Sequence, residues 1–232
     1  SLTFQAALRE AEKATDDVPA ILERAAQGAL MGARGNSGVI VSQFFRGFTR
    51  AVGKAEKLGI PEIAKGIVGA ANTAYQAVRK PVEGTILTVV REAGEKAQKL
   101  RGKEKDLIRF LEQVYEHAEE VLAKTPEMLP TLKQAGVVDA GGQGLLFFFA
   151  GAIAALKGQT VTVKKTPQVE KKKIFDPIAD DFDLENITFQ YCTEFILQGE
   201  NLALETIQED LAPHGDSMLV VGDEKTVKIH IH

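Results

Sequence analysis

The chain has 232 residues, enough for one large domain or two ordinary ones, and its 44% apolar and 26% charged residues are typical of a globular protein. A formal net charge of −4 argues against a nucleic-acid-binding domain, and a single cysteine excludes an internal disulfide framework and fits a reducing compartment, so cytoplasm is expected. No apolar run is long and charge-free enough to span a bilayer, and residues 1–13 are amphipathic rather than a signal peptide.

Charge is distributed unevenly. Residues 1–163 hold 21 Lys/Arg against 18 Asp/Glu, a balance of +3, whereas residues 164–232 hold 7 against 14, a balance of −7. The first part would tolerate a polyphosphate, although a solvated surface explains the asymmetry equally well.

In chain order, Phe4 to Lys13 has helical periodicity, and Asp16 or Asp17 can cap a helix running from Val18 toward Met31. After a glycine-marked loop, Met31-Gly32-Ala33-Arg34-Gly35-Asn36-Ser37-Gly38, the residues Val39, Ile40, Phe44, Phe45 and Phe48 recur at helical spacing as a core stripe. Pro61 opens a helix through about Arg79, and Pro81 breaks it. Gly84-Thr85 starts the next, Ile86 to Leu100, and Asp106 to Ala123 carries Leu107, Phe110, Leu111, Val114, Ala118 and Val121 on one face. Val138-Asp139-Ala140-Gly141-Gly142-Gln143-Gly144 interrupts again before a last helix, Leu145 to Leu156, which reads as buried, with Phe147, Phe148 and Phe149 in the core. The spacing predicts an all-α domain of seven or eight helices over residues 1–160.

A polar linker over residues 161–175 follows, and then the period changes from about 3.6 to 2. Ile187 to Leu197, Met218 to Gly222 and Thr226 to His232 read as strands, and Leu202 to Leu211 as a helix. Residues 176–232 are therefore a small α+β unit, with Gly222-Asp223-Glu224-Lys225 as a hairpin turn.

The chemistry is expected at the three glycine loops. Glycine permits close backbone approach, and a helix start offers unpaired N–H groups with a partial positive charge. Read alone, the first loop is a helix C-cap followed by a capped helix with no ligand. Three such loops in one largely helical chain point to a phosphate-binding rim. None is a Walker A loop, because no Lys-Ser or Lys-Thr pair follows the last glycine.

Together, Gly32 to Gly38, Pro81-Val82-Glu83-Gly84-Thr85 and Asp139-Ala140-Gly141 resemble the nucleotide-binding domain of dihydroxyacetone kinase. The similarity is greatest to the version in the kinase subunit of bacterial fatty acid kinases. The α+β unit, with Tyr191-Cys192-Thr193-Glu194, Gly215-Asp216-Ser217 and Lys228 to His232, resembles that subunit's middle domain. The resemblance implies a barrel of about eight antiparallel helices with ATP bound at one end by Gly35, Asn36, Ser37, Gly38, Gly84, Thr85, Asp139, Ala140 and Gly141. It also implies a fatty-acid-binding partner protein that presents the acyl chain, an acyl phosphate product, and a homodimer as a permitted assembly.

The Mg²⁺-binding aspartate motif of that family has no counterpart in the chain, whose first acidic residues are Glu10, Glu12, Asp16 and Asp17. Its ligands are expected upstream of Ser1, and the segment as given is expected to lack kinase activity. The alternatives are a non-catalytic nucleotide-binding or docking module of the same fold, and a dihydroxyacetone-kinase-type subunit.

Cys192, His230 and His232 form a second candidate site. Alternation puts Phe189, Tyr191, Phe195 and Leu197 on one face of their strand and Cys192 with Gln190 and Glu194 on the other. Val227, Ile229 and Ile231 likewise oppose Lys228, His230 and His232, so the three soft ligands are expected on non-core faces. A thiolate with two histidines suits tetrahedral zinc with one open position; two surface histidines and an unrelated cysteine are the alternative.

Overall fold

The computed structural model describes residues 2–14, 17–159 and 188–232, and the expected linker over 161–175 lies outside them, as do Asp16 and the start of the α+β segment. An all-α part comes first: α1 (Leu2–Ala11), α2 (Val18–Gly32), α3 (Gly35–Val52), α4 (Ile60–Ala77), α5 (Ile86–Leu100), α6 (Leu107–Ala123), two short helices α7 (Thr125–Met128) and α8 (Pro130–Ala135), and α9 (Ala140–Leu156). A small α+β part follows: β1 (Thr193–Gln198), α10 (Leu204–Leu211), β2 (Leu219–Gly222) and β3 (Thr226–Ile231). No helix among the described residues is long and apolar enough to cross a membrane.

Polar caps set the helix starts. Asp17, Thr85, Asp106 and Asp139 each accept a backbone N–H from the first turn of α2, α5, α6 and α9. Each of α1 to α6 packs on the next, and α9 returns against α5 and α6. Ile67, Leu87, Val89, Phe110, Val114, Leu145 and Leu146 fill the space between them. An aromatic cluster joins the two ends of this set, with Phe4 of α1 stacked on Phe148 of α9 at 5.2 Å and Phe44 of α3 at 6.1 Å from Phe149. Helices α3 and α4 approach closely because Gly47 faces Gly69 and Thr73; a Cβ on Gly47 would lie 2.4 Å from the Gly69 carbonyl.

The predicted stripe on α3 is confirmed, with Val39, Ile40 and Phe44 buried and Phe45 and Phe48 packed on the core. Helix α9 departs from expectation. Phe147 is 69% exposed and Phe148 is also exposed, so the aromatic triplet is not simply core. Residues 140–156 are apolar all round, but α5 and α6 cover only the side carrying Leu145, Leu146 and Ile153.

The sheet has the order β1-β3-β2, antiparallel throughout, with Phe195 opposite Ile229 and Glu194 opposite His230. One face packs on α10 through Met218, Val220, Val227, Ile229 and Ile231. The other meets the helical part, where Leu219 and Val221 pack on Ala33 and Val39. Both faces of the central strand are therefore covered, which corrects the face assignment. Lys228 and His230 are buried, whereas Tyr191, Phe195 and Leu197 are exposed because α10 does not extend over the edge strand β1.

Candidate nucleotide cleft and metal cluster

The starts of α3, α5 and α9 meet at one point. A Cβ built on Gly141 would lie 3.1 Å from an Asp139 carboxylate oxygen, 3.2 Å from the Ile86 Cβ and 3.4 Å from the Ser37 Oγ. These residues belong to the three different glycine loops, so folding brings all three together.

They border a cleft of about 530 Å³ lined by Asn36, Ser37, Arg79, Lys80, Thr85 and Asp139 on the helical side, and by Gly215 to Leu219 on the sheet side. Gly35 opens α3 with φ of 62°, which turns the chain so that Asn36 and Ser37 are exposed at the cleft. Gly38 is buried beneath them, where its missing side chain makes room for the Thr3 hydroxyl. Gly84, also buried, adopts φ of 82° and lies against Met128 and Leu129, and its N–H donates to the Thr88 hydroxyl at 2.9 Å. Thr85 caps α5 and donates its hydroxyl to the Val82 carbonyl at 2.8 Å. Ala140 is exposed on the first turn of α9, next to half-buried Gly141.

The second loop is held from below. Glu83 accepts from the Thr88 hydroxyl at 2.6 Å, from Tyr75 at 3.0 Å and from Arg91 at 3.1 Å. The Thr88 hydrogen bond above all keeps the Glu83 carboxyl below the usual carboxylate range, against a smaller opposing effect of burial.

Asp139 is the third loop's anchor. Its carboxylate accepts from the Gly142 N–H at 2.7 Å, and its own N–H donates to the Thr125 hydroxyl at 3.1 Å. Burial pushes its pKa above the ordinary 3.8, outweighing the backbone N–H groups that lower it. A raised folded-state pKa means that ionisation costs stability, an effect absent below pH 3.8 and complete above the raised value. Asp139→Ala should destabilise by about 1 kcal/mol through loss of the cap. Asp139→Asn keeps an acceptor and sheds the buried charge, so it should lose less and should flatten the fall in stability on raising pH from about 3 to about 7. Urea unfolding across that range measures both, and equal losses for the two variants would contradict this account.

Cys192, His230 and His232 are brought together from the residue before β1 and the end of β3, with ligand atoms within 4.8 Å of one another. The Cys192 Sγ lies 3.7 Å from His230 Nδ1, and the two imidazole rings meet edge to face at 5.1 Å. Cys192 is exposed, His232 is half-buried, and His230 is only 1% exposed. His230 Nε2 has no hydrogen-bond partner although it is buried, which an ion or other acceptor of its lone pair would remedy. The donor set of one thiol and two imidazoles suits zinc.

Among the described residues this is the only such group of three, so the cleft's carboxylates Asp139 and Asp216 do not assemble a Mg²⁺ set. Asp139 is also committed to α9. Of the cleft residues, Arg79, Lys80 and the Gly215 to Leu219 wall were not assigned from sequence. A basic pair just before Pro81 was a usable signal for the first two; the wall had none, because it comes from the other part of the chain.

Comparison with known proteins agrees with this architecture. Residues 1–154 match the DAK2 domain. The chain belongs to the DAK2 domain family. Residues 188–232 match the FakA-like middle domain of fatty acid kinases. Protein YloV of Bacillus subtilis is 41% identical over 241 residues, covering 100% of this chain and 44% of its own. An uncharacterized protein of Staphylococcus saprophyticus is 41% identical over 213 residues, and one of Staphylococcus aureus 40% over 216; each covers 89% of this chain, and 38% and 39% of its own respectively. The chain thus spans less than half the length of these curated relatives. Its two matched segments support a kinase-family nucleotide-binding module.

Proposed function

We propose that this chain is the ATP-binding and metal-containing portion of a cytoplasmic kinase subunit that phosphorylates a fatty acid held by a separate binding protein, releasing an acyl phosphate. The observation that carries the reading is the meeting of three helix starts around Gly141, at a cleft that also holds Arg79 and Lys80. Helix N-termini and two cations suit a polyphosphate. The match of residues 188–232 to a FakA-like middle domain of fatty acid kinases supports an acyl rather than a sugar substrate.

In this reading Asn36, Ser37 and Thr85 orient phosphate oxygens, Arg79 and Lys80 offset their charge, and the Asp216-Ser217 wall limits access from the sheet side. A fatty acid carboxylate is ionised near neutral pH, so it attacks the γ-phosphate without a general base. Catalysis is then positioning plus charge stabilisation. No step is assigned to Mg²⁺, because the carboxylates of the cleft do not form a site for it.

Cys192, His230 and His232 hold one zinc ion that joins β1 to β3. Exposed Tyr191, Phe195 and Leu197 on the edge strand support a homodimer.

The test is turnover by the full-length protein with ATP, Mg²⁺ and a fatty-acid-loaded binding protein, with acyl phosphate trapped by hydroxylamine. ADP and hydroxamate should appear together and only when fatty acid is present. Phosphorylation of dihydroxyacetone with no hydroxamate would reject the acyl reading.

A further inference from the structure

One carboxylate touches both candidate sites. The Glu194 side chain is only 16% exposed, and its Oε1 accepts the backbone N–H of Gly35, the residue that opens α3 and leads directly into Asn36 and Ser37. The same oxygen lies 3.0 Å from His230 Nδ1, which must donate because a carboxylate can only accept. The other oxygen lies 3.6 Å from the buried Lys228 ammonium. Burial opposes ionisation of Glu194, but the Gly35 N–H, His230 and Lys228 outweigh it and hold the carboxyl below the usual range.

A second link joins the same two places. The Asp216 N–H donates to the His232 carbonyl at 3.1 Å, and the His232 N–H donates to the Asp216 carbonyl at 3.0 Å. Gly215 presses against this pair, since a Cβ there would lie 2.0 Å from the His232 carbonyl oxygen. Residues Gly215 to Leu219 are the sheet-side wall of the cleft. Cys192 therefore sits two residues from the side chain that holds one wall, and His232 is bonded to the segment that forms the other.

We infer that occupancy of the Cys192–His230–His232 cluster by zinc and occupancy of the cleft by nucleotide are thermodynamically coupled, with Glu194 as the positioning residue that connects them. This rests on the nucleotide-binding reading above. An ion shared by the three side chains restricts the His230 ring and the start of β1, and with them the carboxylate that holds Gly35. A metal-bound histidine that passes its other N–H to a carboxylate is a recurrent device for fixing orientation. Here the carboxylate passes the constraint on to the glycine loop. Zinc thus pre-organises the cleft and tightens nucleotide binding, and nucleotide must tighten zinc by the same factor.

Calorimetry on the full-length protein, titrated with a non-hydrolysable ATP analogue and Mg²⁺ in zinc-loaded and zinc-stripped forms, measures the first factor. Competition for Zn²⁺ with a chromophoric chelator, with and without the analogue, measures the second. Both should be about 5-fold or more and equal. Glu194→Ala should still bind zinc, with the factor reduced to near unity. Glu194→Gln, which preserves the side-chain shape, provides the same comparison if the alanine variant does not fold, and a wild-type factor in it would overturn the role of Glu194. If wild type binds both ligands with independent affinities, or binds nucleotide but no zinc, the coupling is rejected while the nucleotide reading stands. If neither form binds the analogue, both fall.

Discussion

Ser37→Leu is expected to weaken nucleotide binding by the full-length protein about 100-fold while leaving the fold intact. Ser37 is exposed on the first turn of α3, and its Oγ sits 3.4 Å from where a Gly141 side chain would begin. It occupies the point where three helix starts converge, so an isobutyl group there fills the space a phosphate needs and removes a hydroxyl donor. Loss of two charge-assisted hydrogen bonds, each contributing about 1.5–3 kcal/mol, accounts for the size of the effect. Surface exposure keeps the cost to stability near about 0.5 kcal/mol, so the melting temperature should barely change. Calorimetry on a variant with wild-type circular dichroism decides the matter. Unchanged affinity would place the nucleotide elsewhere.

The second large effect concerns the thiol and imidazole cluster. Protein purified without chelator should carry one zinc per chain, and Cys192→Ala should weaken zinc binding by more than about 100-fold, since loss of a direct ligand exceeds the effect of losing a supporting one. Zinc is favoured over Mg²⁺ because thiolate and imidazole are soft or borderline donors. The buried and unpartnered His230 Nε2 adds a physical need for an occupant. The ion would join the start of β1 to the end of β3, so chelation should lower the melting temperature of the sheet and α10 more than that of the helical part. Elemental analysis gives the stoichiometry. Full zinc content in Cys192→Ala, or none in wild type, would reject the site.

Much of the local architecture was legible because it depends on short-range rules. The start of α5 after Thr85 and of α6 after Asp106 followed from a capping side chain ahead of an apolar stripe. The strand-helix-strand-strand order followed from the change of hydrophobic period between α9 and β1. The glycine loops stood out because Gly35 and Gly84 take positive φ, which few other residues tolerate. Helices α7 and α8 were missed because segments of four and six residues are too short to show a period.

Which segments are helix or strand, where the backbone turns, and which residue types could meet an anion or a soft metal can all be read along the chain. Periodicity, capping and side-chain chemistry act within a few residues and need no distant partner. Folding alone brings Ser37, Ile86 and Asp139 to one point, sets Gly215 to Leu219 as a wall of the same cleft, and makes Glu194 bridge His230 and Gly35. It also reversed the faces of the sheet. A period of 2 states that two faces differ but not which is covered, and here α10 covers one face of β3 while the α2–α3 corner covers the other, burying His230 and leaving Phe195 exposed.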